Sequence, residues 1–229
     1  MVNSSLKQLS YKLFPGQCLL CLATTHRPKD ICRGCEQDLP WLRTRCQRCA
    51  LPLTTDALCG TCLKTPPRFD RCLACWEYGF PVDGLISRFK YHGDRASGAL
   101  LGELALTAFK NQSADALLPV PMHWRRQLRR GYNQTELLAA QWGTALDIPV
   151  LRALKRVVAT PTQQGLSARA RQRNLKGAFT LIKAEQVYGK RIVIVDDVLT
   201  TGATANSLAA ILRRAGATEI MVWCLARTP

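Results

Sequence analysis

Long apolar runs are missing from this chain. No segment approaches the roughly twenty consecutive apolar residues that a membrane-crossing helix needs. The first residues, MVNSSLKQLSYKLFPGQC, have no apolar core of the kind a secretory signal carries. The expected location is therefore the cytoplasm, with no membrane insertion. Also absent is any G-x-x-x-x-G-K-[ST] loop, so the apolar strand VIVDD does not read as the Walker B partner of a nucleoside triphosphatase. Negative charge is scarce: 16 Asp and Glu face 32 Lys and Arg, a net charge of +16 in 229 residues. That balance points to polyanionic partners and says nothing about the fold. Cysteine all but vanishes after Cys75, Cys224 being the exception.

The other ten cysteines form five C-x-x-C pairs, CLLC, CRGC, CQRC, CGTC and CLAC. In a reducing compartment such pairs are metal knuckles more often than disulfides, and four thiolates in a tetrahedron are a standard structural zinc site. Eight ligands make two closed sites. The simplest pairing joins Cys18, Cys21, Cys32 and Cys35 around one ion and Cys46, Cys49, Cys59 and Cys62 around the other, and a cross-braced pairing of alternate knuckles fits the spacing nearly as well. Cys72 and Cys75 lie in FDRCLACWEYGF, where aromatic and apolar neighbours favour core packing over ligation, and Cys224 in IMVWCLA reads as part of a core strand.

Near the other end, RIVIVDD is short, β-branched and uninterrupted, the pattern of a central strand buried on both faces. VLTTGAT follows, then ANSLAAILRRAGA, with apolar residues at helical spacing and Gly216 as a stop. In a strand-loop-helix unit the loop lies at the carboxyl end of the strand beside the helix amino terminus, which favours anions. Thr200, Thr201 and Thr204 add hydroxyl donors, Gly202 allows close backbone approach, and Asp196 and Asp197 can accept from vicinal hydroxyls. A sugar phosphate suits both halves.

Between these regions lies the basic part of the chain. Residues 119–176 hold eleven Lys and Arg against Glu136 and Asp147. The segment PVPMHWRRQLRRGYNQTELLAAQW begins as a strand end, so Arg125, Arg126, Arg129, Arg130, Asn133 and Gln134 should gather at the sheet edge that carries the Thr-rich loop. A helix is expected from about Thr135, with that residue as its N-cap. Trp124 and Tyr132 offer aromatic faces for bases, and ATPTQQGLSARARQRNLKGAF, with Arg169, Arg171 and Arg173, reads as a long loop of the kind that serves as an active-site lid.

VIVDDVLTTGAT resembles the phosphoribosyl diphosphate signature of type I phosphoribosyltransferases, and the succession of the first four Cys pairs, SRFKYHGD, PVPMHWRRQLRRGYNQTELLA, TPTQQGLSARARQRNLKGAF and IVIVDDVLTTGAT resembles the ComF/GntX family from near Cys18 to the carboxyl end. The resemblance implies an amino-terminal zinc module, set here at residues 1–68, and a phosphoribosyltransferase-like α/β domain at 69–229, a parallel sheet flanked by helices. It implies a role in the uptake and use of external DNA, as nutrient or for natural transformation, in company with DNA-uptake proteins. The family name also carries an association with gluconate use, for which no residue here speaks. On this reading Asp196 and Asp197 are the catalytic pair on the ribose. Val198, Leu199, Thr200, Thr201, Gly202, Ala203 and Thr204 hold the 5′-phosphate, while Lys90, Arg126 and Arg130 hold the Mg-bound diphosphate. Arg125, Arg129, Trp124, Tyr132, Arg169, Arg171 and Arg173 are left for single-stranded DNA. The family usually has other residues at Cys72 and Cys75. Two readings stay open at this point: a phosphoribosyltransferase whose acceptor is set by a hood after the zinc module, and a module that senses phosphoribosyl diphosphate or nucleotides without turnover.

Overall fold

The computed structural model describes residues 14–158 and 177–229. Four parallel strands make the central sheet, in the order β3 (Arg71–Glu77), β8 (Glu219–Arg227), β7 (Arg191–Leu199) and β4 (Ala116–Pro119). The apolar run of β7 takes the middle because both its faces are covered: Val193 and Val195 face one helical layer, Ile192 and Ile194 the other, and all four are fully buried. The strand runs to Leu199, two residues past the acid pair, because Val198 and Leu199 still pair with Ala226 and Arg227.

On the first face pack the helices Val82–Tyr91, Arg95–Phe109 and Gln134–Leu146. Their aromatic centre is Phe109, stacked on Trp223 at 4.5 Å and edge-on to Trp142 at 4.7 Å. The helix Ala203–Arg214 covers the second face through Ala205, Leu208 and Leu212. It starts two residues earlier than the apolar spacing suggests, because Gly202 adopts φ +72° and turns the chain directly into the helix. The helix expected from Thr135 begins at Gln134. Asn133 is the N-cap, its side chain accepting from the Thr135 amide at 3.2 Å, while the Thr135 hydroxyl donates to the Val120 carbonyl at 2.8 Å. Parallel strands place all four carboxyl ends at one edge of the sheet. Beyond β4 a short antiparallel pair, β5 (Leu154–Arg156) and β6 (Phe179–Leu181), flanks that edge.

The cysteine-rich region folds as two knuckle units, the first braced by β1 (Gly16–Gln17) paired with β2 (Thr24–Thr25). Its residues Cys18, Ile31 and Leu39 share one apolar core with the first face of the sheet. The second unit docks through backbone: Leu42 donates to Cys75 at 2.9 Å and Cys72 donates to Arg48 at 2.7 Å. Cys72 and Cys75 are buried in β3, Cys72 with its sulfur 3.8 Å from that of Cys224, so they serve the core. No helix among the described residues is long and apolar enough to cross a membrane.

Candidate functional site

The strand ends, the Thr-rich loop and the basic helix meet around one cavity of 420 Å³. Its floor is the acid pair. Asp196 accepts from the Asp197 amide at 2.9 Å and Asp197 from the Val198 amide at 2.7 Å, which turns both carboxyls along the strand end rather than back into the sheet. Lys90, from the end of the helix Val82–Tyr91, reaches across to Asp197 at 2.8 Å. Burial acts to lower the Lys90 ammonium, but Asp197 first and then Asp196 outweigh it and hold it above the ordinary lysine value. Asp196 is raised as well, but here burial is the leading cause: together with the neighbouring Asp197 charge it lifts the carboxyl from 3.8 to about 7 against the pull of Lys90. Lys90 therefore lines the cavity bound to the acid pair, a partner its place in the sequence does not reveal.

One rim is the loop that continues from β7 into the helix Ala203–Arg214. Thr200 and Thr201 are exposed on it, the Thr201 hydroxyl accepts from the Ala203 amide at 3.4 Å, and all of residues 198–204 line the cavity. The other rim is cationic. The helix Trp124–Arg130, capped at its start by the His123 side chain and at its end by Gly131 at φ +83°, turns Arg126, Arg129 and Arg130 inward. Arg130 lies over the Tyr91 ring at 5.0 Å and donates to Gln134 at 2.9 Å. Arg156, at the end of β5, joins them; its guanidinium sits 5.4 Å from the Phe179 ring centre. Burial lowers Arg156 to about 10, helped by the Arg126 charge, and burial with Arg130 and Arg129 lowers Arg126. Cations that depress one another in this way make a field that favours an anion. The cavity thus offers hydroxyl acceptors on its floor, hydroxyl donors at a helix amino terminus on one side, and guanidiniums on the other.

At three residues the geometry departs from what the sequence suggests. Tyr132 is buried: its ring stacks on Phe89 at 5.8 Å, Arg95 covers it at 5.4 Å, and its hydroxyl donates to the Phe89 carbonyl, so it has no face for a base. Arg129 lines the cavity beside Arg126 and Arg130 instead of standing apart from it. Arg156 also lines it, and the sequence gives no sign of this, since LKR reads apolar-basic-basic and its buried-exposed-buried alternation appears only in the fold. Trp124, by contrast, is 56 % exposed, with Arg125 over its ring at 5.3 Å. Arg169, Arg171 and Arg173 lie outside the described residues, as does most of the expected lid.

The raised Asp196 carboxyl carries a stability cost with a definite sign. Below about pH 3 the group is protonated both folded and unfolded and costs nothing; as pH rises toward 7 the unfolded chain loses the proton first, and stability falls until the folded group also ionises. Asp196→Asn should therefore stabilise the protein by on the order of 1–3 kcal/mol at about pH 8 and by little at about pH 4. Urea unfolding at the two pH values checks this, and equal effects at both would contradict it.

The two cysteine clusters have the geometry of metal sites. Ligand atoms of Cys18, Cys21, Cys32 and Cys35 lie within 4.8 Å of one another, as do those of Cys46, Cys49, Cys59 and Cys62, which selects consecutive knuckles over the cross-braced pairing. Cys32 and Cys59 each cap a short helix, accepting from the amides of Cys35 and Cys62 at 3.4 Å. Burial opposes thiolates at Cys18 and Cys46, yet nearby amides, first those of Cys21 and Cys49 respectively, bring both down to about 6. Four sulfurs gathered within reach of one ion, with backbone amides on Cys18 and Cys32 in one cluster and on Cys46, Cys49 and Cys59 in the other, fit structural zinc.

Comparison with known proteins agrees with both halves. Residues 9–63 match a double zinc ribbon domain and residues 137–229 a phosphoribosyl transferase domain. Competence protein F of Haemophilus influenzae is 38% identical over 225 residues, covering 93% of this chain and 98% of that protein. DNA utilization protein YhgH of Escherichia coli (strain K12) is 38% identical over 233 residues, with the same coverage. Among solved structures, glutamine phosphoribosylpyrophosphate amidotransferase from B. subtilis, complexed with ADP and GMP, aligns at 25% identity and TM-score 0.40 over 56% of this chain and 25% of that one. A zinc ribbon joined to a phosphoribosyltransferase-like sheet, matched along almost the whole chain by these relatives, means that the protein belongs to the ComF/GntX family of competence and DNA utilization proteins.

Proposed function

We propose that this protein binds Mg-bound phosphoribosyl diphosphate in the cavity at the carboxyl edge of the sheet, binds single-stranded DNA beside it, and acts in the cytoplasm in the uptake or use of external DNA. The observation that carries the reading is the convergence of an acid pair, a Thr-rich loop at a helix amino terminus and inward-facing arginines around one cavity. Asp196 and Asp197 take the ribose hydroxyls, residues 198–204 the 5′-phosphate, and Arg126, Arg130 and Arg156 the diphosphate, with Lys90 setting the position of Asp197. Mg, when bound with the diphosphate, neutralises part of its charge. The zinc module, residues 1–68, is the structural partner of the phosphoribosyltransferase-like domain, residues 69–229. The names of the competence and DNA utilization relatives support the cellular role.

Calorimetric titration with phosphoribosyl diphosphate tests the first claim. Saturable binding that requires Mg is expected, and no heat with Mg present would overturn it. Diphosphate release assayed with free bases, nucleotides and oligonucleotides separates a transferase from a sensing module. For the DNA claim, Trp124→Ala with Arg125→Gln should weaken binding of a single strand by about ten-fold and make it less salt-dependent, while leaving phosphoribosyl diphosphate binding alone, since neither residue lines the cavity. Unchanged DNA affinity in that variant would remove the Trp124–Arg130 helix from the DNA track.

A further inference from the structure

A second cleft, of 490 Å³, opens on the zinc module, lined by Arg27, Arg33, Glu36, Gln37, Trp41 and Arg43. Its aromatic element is firmly braced. The Trp41 ring packs against the fully buried Trp76 at 5.2 Å, its indole N–H donates to the Glu36 carbonyl at 3.0 Å, and its backbone bridges to Trp76. The ring nonetheless stays half-buried, so part of it meets solvent at a fixed place. Around it the charges are unequal. Glu36 is occupied by Arg27 and Lys29, whereas Arg33 and Arg43 are exposed and make no ion pair among the described residues. A rigid aromatic face beside uncommitted guanidiniums is the arrangement that stacks a base and holds the flanking phosphates.

Its position adds a second argument. Trp41 bridges to Trp76 and the Glu77 amide donates to Pro40 at 2.9 Å, so the cleft is tied to the carboxyl end of β3; the next residue, Tyr78, lines the phosphoribosyl cavity, as does Thr228 at the end of β8. We infer that Trp41, Arg33 and Arg43 form a single-stranded nucleic-acid site on the zinc module, separate from the Trp124–Arg130 helix and placed to lead a strand toward the Tyr78 side of the cavity. This deepens the DNA half of the function proposed above and rests on it.

The test uses the zinc-loaded full chain and a fluorescein-labelled oligothymidylate of about twelve nucleotides, followed by anisotropy across a salt series. Arg33→Gln with Arg43→Gln removes two exposed charges and should weaken binding about ten-fold, with the slope of log affinity against log salt falling by about 1.4. Phosphoribosyl diphosphate affinity and zinc content should not change. Trp41→Leu, which keeps an apolar cover on Trp76, should lose most of the preference for the oligothymidylate over an abasic strand of the same phosphate number. Parent-like affinity and slope in the double variant would overturn the site. So would equal binding of the abasic strand by the parent, or equal competition by a poly-glutamate peptide, since either would reduce the cleft to a patch of charge. If Trp124→Ala with Arg125→Gln weakens DNA binding while the Arg33 and Arg43 variant does not, this inference fails and the reading above stands; if the parent binds no strand, both fail.

Discussion

Replacing Asp196 and Asp197 together by Ala is expected to lower affinity for phosphoribosyl diphosphate by about a hundred-fold or more. Hydrogen bonds from hydroxyls to carboxylates are worth roughly 1.5–3 kcal/mol each, and every 1.4 kcal/mol is about a factor of ten. The same change takes two negative charges out of a cavity ringed by Arg126, Arg130 and Arg156, so inorganic diphosphate should bind the variant at least as well as it binds the parent. Opposite responses of the two ligands separate loss of the ribose contacts from collapse of the site. Because the variant also strips Lys90 of its partner at 2.8 Å, the isosteric pair Asp196→Asn with Asp197→Asn should be measured beside it. Undiminished phosphoribosyl diphosphate affinity in both variants would refute the assignment. In the parent, affinity should decline as pH falls through about 7, since the Asp196 carboxyl, raised by burial and by Asp197, then takes up a proton and loses acceptor strength. Thr201→Val, which keeps the shape and removes one hydroxyl, should cost a smaller factor, about ten-fold or less.

Metal analysis should find two zinc ions per chain, and removing them should cost more stability than any single substitution discussed above. Apparent binding free energies of about 10–16 kcal/mol per structural zinc are coupled to folding in small zinc modules. Here the ribbon also shares its apolar core and its backbone bonds with the sheet, through Cys18, Leu42 and Arg48. Arg227, at the end of β8, donates to the Cys49 carbonyl at 3.1 Å, so loss of the second cluster reaches the cavity side of the sheet. Cys46→Ser with Cys49→Ser should release one ion and lower the melting temperature by on the order of 10 °C or more. Cys72→Ala with Cys75→Ala should keep both ions and lose only core packing. A folded, reduced sample with almost no zinc would sink the assignment.

What could be read from sequence alone followed from local rules. The run RIVIV declares a strand buried on both faces because it has no polar alternate, and the acid pair and Thr-rich loop fall at its carboxyl end by chain direction alone. The first four C-x-x-C pairs declare knuckles because two thiolates at that spacing can share one ion, while the apolar neighbours of the fifth set it apart. Tertiary structure decided the rest, wherever a residue's role depends on what faces it. Consecutive rather than alternate knuckles close the metal sites, a choice that spacing leaves degenerate and chain packing does not. Tyr132 is withdrawn from the surface by Phe89, and Arg129 is turned into the cavity with Arg126 and Arg130 by the way their short helix sits beside the sheet edge. Lys90, at the end of a helix, meets Asp197, and Arg156, on the small antiparallel pair, meets the cavity because both elements pack against the carboxyl edge of the parallel sheet, where charges far apart in sequence come within a few ångströms and set one another's protonation.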